Sequence, residues 1–235
     1  MTRKVINICY KMFTILSLSL GIFLNLRNTT SVKALVSYYT LQSNIICLVA
    51  FLIILVLELS KKDYKTDIYY LVKGALIIMI AITAIVYHLA LAPVGFEMDA
   101  LRSNINNKVI ANFLVHTLSP ILVILDYILL DEKGHFKFFY PIIWLFEPLN
   151  YIVYVYTYSN FGGTFYSIGG SRKFAYFFLD YTKLGYAGVF KWLVFIAIIL
   201  LILSELIVLL DKVSFKIHTI KWQKRNLTES GRHSS

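Results

Sequence analysis

The chain has 235 residues, of which 58% are hydrophobic and 15% charged, and its mean hydropathy is +0.70. A soluble globular domain runs at about 45–50% apolar and about 25% charged, so the balance argues against a soluble fold. The formal net charge of +10 would suit a nucleic-acid binder if the chain were soluble. In a membrane protein the basic residues belong at cytoplasmic helix ends, so membrane lipids are the expected partners and nucleic acid is not.

Six hydrophobic segments predict an all-α, polytopic membrane protein built as one bundle of six transmembrane helices, at 6–26, 36–59, 68–92, 109–130, 138–158 and 189–210. The first follows Arg3 and Lys4 and ends without a small-residue cleavage site, so it reads as a retained helix rather than a signal peptide. Asn28, Thr29 and Thr30 form a glycosylation sequon, which has meaning only in a eukaryotic secretory setting. The third helix should end at Pro93, before an Asn-rich connection that leads to the fourth. Pro148 predicts a kink inside the fifth. Between the fifth and sixth, the Gly pairs at 162–163 and 169–170 read as loop turns, because no Lys-Ser/Thr opens a helix behind either one. The aromatic stretch from Phe174 to Tyr181 reads as an interfacial segment that would cap a site.

Lys and Arg set the orientation. With the N-terminus inside, the inner segments (Lys11 counted among them) hold fourteen and the outer loops seven, which predicts both termini on the cytoplasmic face. The basic tail 211–235 would lie against an anionic leaflet. Richness in Tyr, Lys and Asn is compatible with an AT-rich bacterial genome and so with a bacterial cytoplasmic membrane. Cys9 and Cys47 make no ligand cluster, and no metal or cofactor is expected.

The fourth segment carries His116, Pro120 and Asp126. A titratable group at membrane depth is costly and marks a candidate functional site. At 1.5 Å per residue, Thr40 and His88 lie about 6 Å below the outer helix ends and His116 about 10 Å, so the three share one outer layer. Thr40, Ser43, Asn44 and Cys47 form a stripe on one helix face. Such a stripe serves close helix packing, or it lines a pocket whose reactive group is Thr40. A threonine hydroxyl beside a neutral imidazole can attack an ester carbonyl, which makes Thr40 and His116 a candidate catalytic pair. Asp126 cannot orient the ring, being about 15 Å along the axis and about 80° around it. It should cap, pair with a Lys or sit in water, leaving His88 or Asn44 to orient His116. Ser43, Asn44, His88, Glu147 and Asn150 are the candidate binding residues. Asp126, Glu147 and Glu205 also admit a different reading, a proton or cation path in a transporter. A non-catalytic membrane protein is the third.

The pairing of YYTLQSN (38–44) with HTLSPILVILD (116–126) resembles the androgen-induced six-helix membrane proteins, and more so their bacterial relatives. Animal members cleave fatty acid esters of hydroxy fatty acids with a membrane-embedded Thr and His. Thr40 before Leu41 matches the family threonine, and His116, Thr117, Pro120 and Asp126 match the second motif in kind. Pro120 stands four residues after the His where the animal proteins have five, and Leu41 replaces an aromatic. The resemblance implies a Thr nucleophile, a His base and a lipid-like ester that reaches the site laterally from the outer leaflet. It bears on the fold more than on the substrate.

Overall fold

A computed structural model describes residues 3–29, 31–60, 63–94, 105–167 and 170–232. Thr30 of the sequon, Lys61, Lys62, the Asn-rich stretch 95–104 and Gly169 lie outside the described residues. The chain is helical throughout apart from connections and one small hairpin. In order it forms α1 (Arg3–Asn28), α2 (Val32–Leu35), α3 (Tyr39–Leu59), α4 (Asp67–Val86), α5 (Ile105–Phe113), α6 (Ser119–Leu130), α7 (Tyr140–Trp144), α8 (Phe146–Asn160), the hairpin β1 (Phe165–Ser167) and β2 (Gly170–Arg172), and α9 (Tyr181–Arg232).

Among the described residues, five helical stretches are long and apolar enough to cross a membrane: Arg3–Asn28, Tyr39–Leu59, Asp67–Leu91, Asn107–Leu130 and Tyr181–Ile217. The fifth segment, expected as one kinked helix over 138–158, is instead two helices broken at Leu145. Pro148 explains the break, because its ring meets the carbonyl four residues back, at Trp144, and it brings no N–H to that turn. Neither piece is long enough alone, yet together they carry the chain from one end of the bundle to the other. Tyr140 and Trp144 donate to the Asp67 and Leu71 carbonyls at 3.3 and 2.9 Å. Farther on, Tyr154 donates to the Ser37 hydroxyl at 2.9 Å. The last helix also departs from its expected bounds. It begins at Tyr181, bends at Gly185 (φ 65°) and continues through the basic tail to Arg232.

The bundle turns its apolar residues outward. On α1, Asn7, Lys11, Thr14, Ser17 and Asn25 are buried, while Met12, Leu16 and Phe23 are 56, 62 and 55% exposed. The buried positions recur every three or four residues, so they form one polar face turned to the neighbouring helices. Bilayer hydrocarbon as the surrounding medium makes that arrangement favourable. Small residues allow close approach. A Cβ on Gly74 would stand 2.0 Å from the Trp144 ring, and one on Gly21 would stand 2.9 Å from Val115.

One end of the bundle is held by charge. Asp126, fully buried, receives Lys73 on one oxygen and Lys11, at 3.3 Å, on the other. Of the roles expected for Asp126, pairing with lysine is the one found. Lys11, counted above among the charges at a helix end, is buried inside the bundle and also reaches Asn7. Lys73 extends to Asp131 at 3.5 Å, which in turn meets Lys65 at 3.4 Å and the Tyr69 hydroxyl at 2.9 Å. Burial pushes the Asp131 carboxyl up, but the lysines around it outweigh burial and hold it below its usual range. Next to this cluster, Asp211 of α9 accepts from Tyr127 (2.5 Å) and from the backbone N–H groups of Gly134 (2.7 Å) and Phe136 (3.0 Å). It thereby pins the turn after α6 to the last helix.

Removing one member of a buried ion cluster strands the others without a counter-charge. Asp126→Ala is expected to destabilise the protein by about 3–5 kcal/mol, read as a lower unfolding temperature in detergent. Replacing Lys11, Lys73 and Asp126 together with Met, Met and Leu should recover much of the loss. A triple variant no more stable than Asp126→Ala would refute the ion-pair account.

Candidate functional site

The opposite end of the bundle is aromatic, and two prolines shape it. The α-helical path of α4 gives way to a single π turn over Tyr87–Leu91, then to a short 3-10 turn that contains Pro93. A second π turn, Leu114–Leu118, joins α5 to α6, with Pro120 just beyond it. Each proline ring bears on the carbonyl four residues back, at Leu89 and at His116. Both positions fall inside the π turns. Widening the turn relieves that clash, and such bulges are frequent at functional sites.

The two π turns face each other. The Tyr87 ring stacks on His116 with centroids 3.7 Å apart and planes 10° from parallel. His88 Nε2 meets the Thr117 hydroxyl at 3.0 Å on the exposed side. His116 itself is buried, and among the described residues neither of its ring nitrogens has a hydrogen-bond partner. The Thr83 backbone faces it without reaching hydrogen-bond geometry. A buried polar group left unpaired costs about 1–3 kcal/mol, so an orphaned imidazole in this position needs an explanation.

The polar stripe of α3 runs alongside. Asn44 donates both to the Thr40 carbonyl (2.8 Å) and to the Val115 carbonyl (3.2 Å), tying α3 to the residue before His116. Its amide hydrogens are thus spent on backbone, while its own carbonyl oxygen is buried and has no partner among the described residues. Ser43 bridges the Thr40 carbonyl (3.0 Å) and the Thr83 hydroxyl (2.7 Å). The Thr40 side chain lies within hydrogen-bonding reach of the Tyr176 phenol, which in turn reaches Tyr151. Burial pushes that phenol up to about 12, so it remains a protonated donor at neutral pH.

Thr40 and Thr83 line a cavity of about 60 Å³ whose other walls are apolar or aromatic, among them Tyr39, Ile82, Tyr151, Phe178 and Ile196. The roof comes from the segment that follows the hairpin. Tyr38 donates to the Tyr166 carbonyl at 2.7 Å and meets Phe165 and Tyr176 edge to face. Phe174, Ala175, Tyr176, Phe178 and Leu179 are buried against the bundle instead of lying on its rim. The interfacial placement expected for 174–181 is thereby corrected, because these rings find partners in Tyr38, Tyr156 and Trp192.

Thr40, Ser43, Asn44 and His116 therefore converge on one region with Thr83, although no hydrogen bond joins Thr40 to His116. His88 sits at its exposed edge. Glu147 is engaged by the Tyr39 hydroxyl, one side chain away from the cavity. Asn150 is exposed and makes no contact with the group among the described residues. Asp126, Glu147 and Glu205 share no partner, and Glu205 is exposed on α9. Thr83, Tyr87 and Tyr176 were not singled out from the sequence. The signal for Tyr87 was the proline spacing, since Pro93 and Pro120 each lie within six residues after the stacked ring. Among the described residues no cluster of His, Cys, Asp or Glu is placed to hold a metal. Comparison with family models, curated proteins and solved structures finds no match to this chain.

The stack offers a direct test of the proline argument. Pro120→Ala should let α5 and α6 run on as one α-helix, turning His116 by about 100° relative to α6. The upfield ring-current shift that Tyr87 imposes on the His116 ring protons, identified by its loss in Tyr87→Leu, is expected to disappear. A Pro120→Ala spectrum that retains the shifted resonance would show that the π turn does not depend on the proline.

Proposed function

We propose that this protein is a membrane-embedded hydrolase of lipid or acyl esters, with Thr40 as nucleophile and His116 as base. The observation that carries the reading is the buried imidazole, without a hydrogen-bond partner among the described residues, facing the backbone of Thr83, which lines an apolar cavity together with Thr40. A catalytic base must keep a lone pair free for the proton it will take, and a structural histidine has no such need. At about 60 Å³ the cavity is of a size for an ester group and not for a whole chain, and the hydroxyls in its lining suit that group. The likeness of the Thr40 and His116 segments to the androgen-induced proteins points to the same substrate class.

In this mechanism the ester carbonyl rests beside Thr40. The Thr40 oxygen attacks the carbonyl carbon as His116 takes its proton, and the Tyr176 phenol donates to the developing oxyanion. The tetrahedral adduct collapses, and His116 returns the proton to the departing alkoxide, so the alcohol leaves and an acyl-threonine remains. Water then attacks the acyl carbon with His116 again as base, which releases the carboxylic acid and restores the threonine. Substrate binding must close the gap between Thr40 and His116, as catalytic hydrogen bonds commonly tighten only in the complex. The protein sits in a bacterial cytoplasmic membrane with both termini inside, and the broken pair α7–α8 serves as the sixth crossing.

Purified protein should react with a serine/threonine-directed fluorophosphonate probe, and labelling should vanish in Thr40→Ala and His116→Ala variants that keep their unfolding temperature. Labelling that persists in Thr40→Ala would remove Thr40 as the nucleophile. For topology, both native cysteines are replaced and single cysteines are introduced at Lys137 and Thr164. A membrane-impermeant maleimide applied to intact cells should modify the Thr164 site and not the Lys137 site. The reverse pattern would invert the orientation.

A further inference from the structure

The Thr40 cavity has a neighbour on the lipid-facing side of the bundle. A second cavity, of about 200 Å³, lies between α9 and the end of α4 with its π turn. Its mouth is formed by Leu89 and Phe195, 72 and 55% exposed, and its floor by Ile82 and Leu200, both buried. No hydroxyl, carboxamide or charged side chain lines it. Four residues, Ile82, Val86, Phe178 and Ile196, wall both cavities, so the lipid-facing groove and the cavity lined by Thr40 share a wall.

We propose that this groove binds the hydrocarbon chain of a single-chain acyl ester, with the ester end directed past Phe178 and Ile196 towards Thr40. The direction of the ester rests on the hydrolase reading above, whereas the binding of the chain does not. The choice of occupant follows from the surroundings. At bilayer depth the mouth opens onto hydrocarbon, and a groove whose one polar side-chain group is the Trp192 indole N–H does not hold water, which needs two to four partners. An apolar cavity of about 150 Å³ suffices for a benzene ring, so this groove has room for one chain and not for two side by side. Ala90, the smallest residue of the lining, leaves the space beside the π turn open. The turn itself exists because Pro93 ends the α-helical path of α4, so the same proline that sets the Tyr87 stack opens the groove.

The test is photolabelling of the full-length protein in phosphatidylcholine nanodiscs with a fatty acid methyl ester that carries a mid-chain diazirine. Adducts are mapped by mass spectrometry in wild type, Thr40→Ala, Ala90→Phe and Ile196→Trp. Adducts are expected on Trp192, Ile196 and Phe178, saturable and competed by unlabelled methyl ester while bilayer phospholipid is in large excess. Thr40→Ala should label like wild type, so loss of the hydrolase reading would leave this result standing. Filling the groove from either wall should weaken labelling about tenfold, the effect of ~1.4 kcal/mol of overpacking. Two substitutions from opposite walls guard against one that merely misfolds, and each is scored only if its unfolding temperature is kept. Adducts spread over the outward face of α9 at Phe190, Ile198 and Ile202 without saturation would overturn the proposal. So would groove labelling that both filling variants leave unchanged, or that excess methyl ester fails to displace.

Discussion

Asp126 is where three helices meet through charge. It projects from α6 between Lys11 of α1 and Lys73 of α4, and all three groups are buried. Ionised groups removed from water are tolerated only when paired and hydrogen-bonded, so the cluster admits little sliding of one helix past another. A shift of one residue would move a lysine about 1.5 Å along the axis, enough to weaken contacts of this kind. That constraint sets the axial register of the bundle. With the charged end fixed, Thr83 of α4 and His116 between α5 and α6 meet near the other end, and Ser43 and Asn44 tie Thr40 of α3 to them.

The aromatic end is organised by backbone defects instead. Pro93 and Pro120 each displace a helical turn, and the two displaced turns pack against each other through Tyr87 and His116. A continuous α-helix through either position would turn the downstream half by about 100° and remove one partner from the stack. Stacking also explains how this histidine can be held rigidly: the ring plane is fixed by Tyr87, and among the described residues neither nitrogen is hydrogen-bonded. Orientation by a carboxylate or amide would have consumed one of them.

The division of labour between the two ends has an energetic logic. The ionised groups of the charged end, Lys11, Lys73, Asp126, Asp131 and Asp211, are paired or hydrogen-bonded, and the Tyr70 hydroxyl there is without a partner among the described residues. At the aromatic end, His116 and the Asn44 carbonyl are left unsatisfied among the described residues. Unpaired buried groups are a cost that stability elsewhere must offset, and they concentrate where a reaction or a ligand will use them. The groove between α4 and α9 shares four apolar walls with the cavity at that end.

What the sequence determined alone is the class of molecule and most of its helices. Hydrophobic segments of about 20 residues can satisfy their backbone in a bilayer only as helices, which is why α1, α3, α4 and the α5–α6 stretch lie close to their expected bounds. The Thr40, Ser43, Asn44 stripe was likewise legible, because helical periodicity places those residues on one face. The break at Leu145 was half legible: Pro148 announced a disruption, but a propensity argument locates a kink at the proline and not at the turn it strains. The partners of Asp126 were not legible, since Lys11 and Lys73 lie 115 and 53 residues away and only packing brings them together. The free state of His116 was equally beyond sequence reasoning. Depth arguments place a residue along a helix axis, whereas the direction of its ring depends on π turns and on a stacking partner from another helix, which tertiary structure alone decides.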